Sequence, residues 1–187
     1  MTPKILNIET IHKGWSTFSR ATLQTGGKPF TREIEDHGRA VVVLPYDPER
    51  RVAILVRLLR APALIAAGEE SLLEAPAGLI DGDDPADAAR REVMEEAGIR
   101  IGDLEHVATV WTMPGISTER MDYYLAPFSP ADRIGKGGGV ADENEDITVE
   151  EHSLAELWSQ AQRGEMSDLK TLTLLFALRD RRPELFD

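Results

Sequence analysis

Apolar and polar positions divide the chain into strands first and helices later. Residues 4–11 and 15–24 are rich in β-branched and aromatic side chains, and "FTREIE" (30–35) sets apolar against polar positions after the turn "TGGKP". Three strands are expected there. "RAVVVLPY" (39–46) is an apolar run of buried-strand type, "DPER" turns the chain, and "RVAILVRLLR" (51–60) follows as its hairpin partner. Residues 61–82, broken by Pro62, Pro76, Gly78 and Gly82, read as loop and short strand. A helix is expected over about 85–97, then strands at "LEHVATVWT" and "ERMDYYLAP" joined by "MPGIST". A polar, glycine-rich loop at about 129–145 and a strand near 147–151 come next. Two helices close the chain: "SLAELWSQAQRG" carries a Ser153–Glu156 capping box and Gly164 as terminator, and the second runs from about Asp168 to Pro183. Strands with helices spread among them predict an α/β sandwich around a mixed sheet. Residues 1–38 are expected as a β appendage and 39–187 as the main domain.

Composition narrows the function. At 187 residues, 42% hydrophobic and 29% charged, the chain is of ordinary globular type. A formal net charge of −12 argues against nonspecific nucleic-acid or anionic-membrane binding, both of which need basic patches. The absence of cysteine excludes disulfides and thiolate metal sites. The first residues lack a signal-peptide apolar core, and no apolar run reaches transmembrane length, so a cytoplasmic protein is expected.

The chemistry concentrates in "DDPADAARREVMEEAGI" (83–99). The helix starts well, with Asp84 as cap and Pro85 in the first turn. It ends with Glu95 and Glu96 in the last turn before Gly98, where the helix dipole disfavours anions by roughly 0.3–1 kcal/mol each. Glu92, Glu95 and Glu96 share one face by their i, i+3, i+4 spacing and repel one another. An acidic helix face is usually just a solvated one, but a broken local rule marks a candidate site. Three carboxylates on one face offer the hard oxygen ligands that Mg²⁺ or Mn²⁺ prefers. The preceding "APAGLIDG" has glycines for close backbone approach to the same ion or its phosphate. An EF-hand is a poor alternative, because no register of "DGDDPAD" puts glycine at loop position six.

"GLIDGDDPADAARREVMEEAGI" resembles the signature box of the Nudix hydrolases, Gly-x5-Glu-x7-Arg-Glu-U-x-Glu-Glu-x-Gly-U. Arg91, Glu92, Val93, Glu95, Glu96, Gly98 and Ile99 match its second half in order and spacing. The chain departs at the first half: Gly78 stands one position nearer to Glu92 than in the family, and Asp83 replaces the box's first Glu. That puts the bracing of the loop in question rather than metal binding. The shortened turn, "RLLRAP", "MPGISTE", "GGGV…EDI" and "DLKT" are similar, in the same order, to the ADP-ribose-pyrophosphatase-like branch, above all its bacterial GDP-mannose pyrophosphatases.

The resemblance implies a Nudix α/β/α sandwich around a mixed sheet and a homodimeric, Mg²⁺-dependent hydrolase, with Mn²⁺ as a possible substitute. The implied reaction is pyrophosphate cleavage of a nucleoside diphosphate sugar, GDP-mannose to GMP and mannose 1-phosphate. The alternatives are ADP-ribose hydrolysis to AMP and ribose 5-phosphate, and a nucleotide-sugar-binding module that does not hydrolyse. It implies metal ligation by Glu92, Glu95, Glu96, the Ala77 carbonyl and a loop carboxylate, Glu145, which also serves as catalytic base; Glu143 and Asp146 are rivals for that role. Substrate contacts are implied at Trp15, Arg32, Glu33, Arg60, Gly78, Glu119 and Lys170. Trp15 reads equally as core and Arg60 equally as a surface ion pair, and surface charge is the alternative reading of Glu119 and Lys170. The four histidines (12, 37, 106, 152) have no metal-ligand spacing and read as structural or exposed.

Overall fold

The run "AVVVLPYD" forms β4 (Ala40–Asp47), in which every residue is buried. A strand apolar on both faces has to be covered on both, so it sits centrally in the sheet. Its neighbour β5 (Val52–Leu58) is nearly as buried. In the computed structural model, which describes residues 2–140 and 146–187, the remaining strands are β1 (Lys4–Lys13), β2 (Thr17–Gln24), β3 (Phe30–Asp36), β6 (Leu72–Glu74), β7 (Ala77–Leu79), β8 (Glu105–Trp111), β9 (Arg120–Pro127) and β10 (Thr148–Ser153). The helices are α1 (Ala61–Ala67), α2 (Pro85–Ala97), α3 (Leu154–Arg163) and α4 (Leu169–Arg181).

The chain divides into two compact units, residues 1–40 with 109–121, and residues 41–108 with 122–187. The first holds an antiparallel sheet ordered β1-β2-β3. Residues 116–118 run beside β3, with the Glu35 N–H donating to the Ile116 carbonyl at 2.8 Å and the Thr118 N–H to the Glu35 carbonyl at 2.9 Å. The unit is therefore discontinuous in sequence, which a single cut at residue 38 does not capture.

The second unit is built on a mixed seven-stranded sheet with the path β10-β5-β4-β9-β8. β5 pairs with β4 only at Val52 and Ala53, and with β6 from Val56 to Leu58. β4 and β5 thus part company, and β6 and β7 fill the gap, β7 pairing with β4. Alternation along β4 sends Val41 and Val43 to one face, where they pack with Ala88, Ala89, Val93 and Ala97 of α2. Tyr46 shares the opposite face with Val42 and Leu44, and the Arg182 guanidinium just beyond α4 lies 5.7 Å from its ring. α3 and α4 bury Leu154, Leu157, Leu174, Leu175 and Leu178, and Trp158 meets Phe176 edge to face at 5.0 Å. Helices on both faces make the expected α/β/α sandwich.

α1 departs from expectation, since its residues read as loop. Pro62 in its first turn and a left-handed Gly68 after its end define it, yet no residue of it is buried and no side chain caps it. A helix without a buried face leaves no apolar period to read.

Candidate active site

α2 begins as its sequence dictates: the Asp84 carboxylate accepts from the Ala86 N–H at 2.9 Å, and Pro85 opens the first turn. Its inward face combines three small alanines and Val93 with Glu92 and Glu96. The alanines let the helix approach the sheet closely, and that approach carries the two carboxylates inward. Glu92 is 8% exposed and Glu96 3%. The Ala77 N–H donates to Glu96 Oε2 at 3.1 Å, so the β7 backbone lies directly against this carboxylate. At Gly78 a Cβ would stand 2.1 Å from Glu92 Cδ, so only glycine leaves room for the carboxylate there. Ala77, Gly78, Glu92 and Glu96 thus come together as expected. Glu95 flanks them half-buried, and Arg91 bridges Glu92 at 2.8 Å and Glu95 at 3.2 Å while donating to the Leu79 carbonyl at 3.0 Å. Asp83 approaches Arg91 Nε at 3.8 Å, so it stands near the guanidinium that ties the helix to β7.

The unfavourable end of α2 has a partner that the sequence did not announce. The N–H groups of Gly138 and Gly139 donate to the Glu96 and Glu95 carbonyls at 2.9 and 3.1 Å, and those of Ile134 and Gly135 to the Gly98 carbonyl at 3.0 and 2.9 Å. Backbone donors satisfy the orphan carbonyls and oppose the negative end of the dipole. The approach is so close that a Cβ at Gly137, whose φ is +68°, would lie 2.3 Å from the Glu96 carbonyl oxygen. A polar, glycine-rich run reads as loop; its use as a helix lid appears only when the two segments meet.

Beside β7 lies a second charged cluster. Glu74, 2% exposed, receives both Arg60 Nε and Nη2 at 2.9 Å in a fork and the Lys170 ammonium at 2.9 Å. Lys170 also donates to Asp168 Oδ1 at 2.6 Å. Burial pushes the Glu74 carboxyl up, but the Arg60 hydrogen bonds and the Lys170 and Arg60 charges outweigh it and hold it below its ordinary value. Burial likewise depresses Lys170, and the charges of Asp168 and Glu74 overcome this and raise it. Arg60 and Lys170, both expected at the substrate, therefore converge on one buried carboxylate, and Arg60 feels the charge of Glu96 as well. Glu74 escaped sequence reasoning because nothing local distinguishes it.

Trp15, Arg32, Glu33 and Glu119 belong to the first unit. Trp15 is 77% exposed and stacks on His37 with centroids 5.1 Å apart, so it is not core. His37 binds Glu35 and Glu119 through its two ring nitrogens, each at 2.7 Å. Glu119 also accepts from the Thr112 hydroxyl, so its carboxylate is engaged within the unit. Arg32 and Glu33 line a cleft of about 490 Å³ together with Trp111 and Ile116. Asp146 is exposed, while Glu143 and Glu145 lie outside the described residues.

A family model, NUDIX domain, matches residues 36–175. The chain belongs to the Nudix family. Two relatives named GDP-mannose pyrophosphatase are similar over 145 residues, 77% of this chain and 75% of theirs: one from Citrobacter koseri at 34% identity and one from Cronobacter sakazakii at 36%. A crystal structure of ADP compounds hydrolase shares the fold, with a TM-score of 0.79 and 23% identity over 98% of this chain and 96% of that one. This Nudix protein is a pyrophosphatase of the ADP-ribose/GDP-mannose type. Nudix hydrolases depend on divalent metal ions, and the residues present fit one. Glu92 and Glu96 stand about one turn apart, buried, all-oxygen and of like charge, against a backbone segment that only glycine allows so near. Among the described residues no group of three or more His, Asp or Glu side chains is placed to hold a metal ion, so the pair is the described part of the candidate site. No helix among the described residues is long and apolar enough to cross a membrane.

Proposed function

We propose that this Nudix hydrolase cleaves the pyrophosphate bond of a nucleoside diphosphate sugar, converting GDP-mannose to GMP and mannose 1-phosphate. The observation that carries the reading is the buried Glu92–Glu96 pair set against Ala77 and Gly78. The choice of sugar nucleotide is supported by the relatives named GDP-mannose pyrophosphatase at 34–36% identity.

Glu92 and Glu96 would hold Mg²⁺, with Mn²⁺ as substitute, helped by Glu95 and the Ala77 carbonyl. When bound, the ion polarises phosphoryl oxygens and acidifies a water. Glu145 is proposed as the loop carboxylate that completes the set and takes the water's proton, with Glu143 and Asp146 as rivals. Arg60 and Lys170 are proposed to face the phosphates, pre-ordered by Glu74, so that little rotamer entropy remains to be lost on binding. Trp15, Arg32 and Glu33 are proposed as nucleotide contacts and Glu119 as a substrate contact; the engagement of Glu119 with His37 and Thr112 would make its part indirect. A homodimer is proposed through β1, where all ten residues are exposed, Ile5, Leu6, Ile8 and Ile11 among them.

The test is a panel of GDP-mannose, ADP-ribose, ADP-glucose and NADH, assayed for released monophosphate with and without Mg²⁺. Mg²⁺-dependent turnover with GDP-mannose in front is expected. An ADP-ribose preference would overturn the substrate, and binding without turnover of any compound would make the chain a nucleotide-sugar sensor.

A further inference from the structure

The backbone of residues 75–77 is held in the middle by β4, where the Val43 N–H donates to the Pro76 carbonyl at 2.9 Å, and at its two ends by side chains. At one end the Ala77 N–H meets Glu96. At the other, the Ala75 N–H donates to Thr171 Oγ1 at 2.6 Å, across 96 positions of sequence. Thr171 is fully buried and Ala75 nearly so. With its acceptor capacity engaged by Ala75, the Thr171 hydroxyl donates to Asp168 Oδ2 at 2.6 Å, and the same oxygen accepts the Thr171 N–H at 2.8 Å as the N-cap of α4. Asp168 Oδ1 receives Lys170, which continues to Glu74, the residue before Ala75.

The first turn of α4 therefore grips the segment at two successive residues, through the Ala75 backbone and through the Glu74 carboxylate. The strand that follows, β7, is only three residues long and pairs with β4, so the contacts at Ala75 and Ala77 set the two ends of the segment on either side of Pro76. A hydroxyl used as acceptor toward the backbone and donor toward a charged carboxylate fixes direction as well as distance. Capping the helix would need only Asp168 and the Thr171 N–H; the hydroxyl is the part that reaches the site.

We propose that Thr171, oriented by Asp168, is a positioning residue for the metal site: it sets the place of the Ala75–Ala77 backbone against Glu96 and so the affinity of the site for its divalent ion. This rests on the metal-dependent reading above. Partners behind a ligand characteristically alter metal affinity by about 10–100-fold. A Thr171→Val change keeps the shape and removes both hydrogen bonds of the hydroxyl. Thr171→Ser restores the hydroxyl without the methyl.

Binding of Mn²⁺ to the substrate-free protein, read by the electron paramagnetic resonance of the free ion, tests this beside thermal unfolding of each variant. The expected result is Mn²⁺ affinity about tenfold weaker in Thr171→Val and near wild type in Thr171→Ser, with both variants cooperatively folded. A merely structural role would lower the melting temperature and leave Mn²⁺ affinity of the folded protein unchanged, which overturns the proposal. If Thr171→Val does not fold, Asp168→Asn decides: weaker Mn²⁺ binding sustains the proposal and unchanged binding sinks it. Glu96→Gln separates the two levels. Mn²⁺ binding lost in Glu96→Gln but intact in Thr171→Val rejects the role of Thr171 alone, whereas no Mn²⁺ binding by the wild type rejects the metal reading and the proposal together.

Discussion

At the scale of single residues, two acidic groupings obey opposite rules. Glu96 is buried with an amide donor on it and a second carboxylate, Glu92, about one turn away. Glu96→Gln keeps the shape and an acceptor for the Ala77 N–H while removing a charge. The melting temperature is expected to hold or rise, and kcat to fall by more than about 100-fold, since Glu96 is proposed as a metal ligand and losing a ligand costs more than losing the partner behind one. Circular dichroism melting and an assay at saturating Mg²⁺ check both halves. The His37 grouping in the first unit is instead a charge match. Burial would depress His37, but hydrogen bonds and charges from Glu119 and Glu35 raise it above its ordinary 6.5. Glu35, despite its burial, is lowered from 4.5 by Ser117 and His37. A raised histidine contributes stability that is full below the unfolded value and is lost as pH rises through the folded one. A lowered carboxylate contributes stability that is full above its unfolded value and is lost on acidification. The shared interaction is therefore strongest between about pH 4.5 and 6.5. His37→Gln is expected to lower the melting temperature most near pH 5.5 and progressively less into the alkaline range; an equal loss at pH 5.5 and pH 9 would contradict this.

At the scale of elements, α2 and the loop at 134–139 form one device. The helix brings Glu92 and Glu96 to the sheet because alanines share their face, and the loop's N–H groups close the end where the carboxylates crowd. Close backbone contact of this kind tolerates no side chain. Gly137→Ala combines a left-handed φ with a Cβ 2.3 Å from the Glu96 carbonyl oxygen. A loss of about 1–3 kcal/mol in urea unfolding is expected, the cost of a non-glycine residue in that conformation or of its escape from it. Activity should fall with it, because the displaced loop runs into the segment of the proposed catalytic base. α1 shows the reverse case, a helix delimited by its proline and glycine punctuation with no fully buried residue.

At the scale of the whole molecule, β1 has no buried residue, and among the described residues β2 is the strand that pairs with it. An exposed edge of that kind invites pairing with another chain. The homodimer proposed through β1 is expected to dissociate to monomer in Ile8→Glu, read by light scattering coupled to size exclusion, with the second unit still folded. A dimer of unchanged mass would place the interface elsewhere.

The strands, the last two helices and the carboxylate face of α2 were legible because each is a local matter. Strand and helix periods repeat within a few residues, and Glu92, Glu95 and Glu96 share a face by helical spacing alone. The family box is likewise contiguous, so its departures at Gly78 and Asp83 could be counted before any fold was known. What tertiary structure decided is pairing across distance. Glu74 meets Lys170 over 96 positions, Glu35 meets Ser117 over 82, and a glycine run forty residues beyond the box covers the end of α2. None of these leaves a periodic trace, because a single hydrogen bond or a missing Cβ constrains one residue, whereas burial of a face constrains a whole series. The sequence therefore determined which side chains the site can use, and the fold decided what holds them in place.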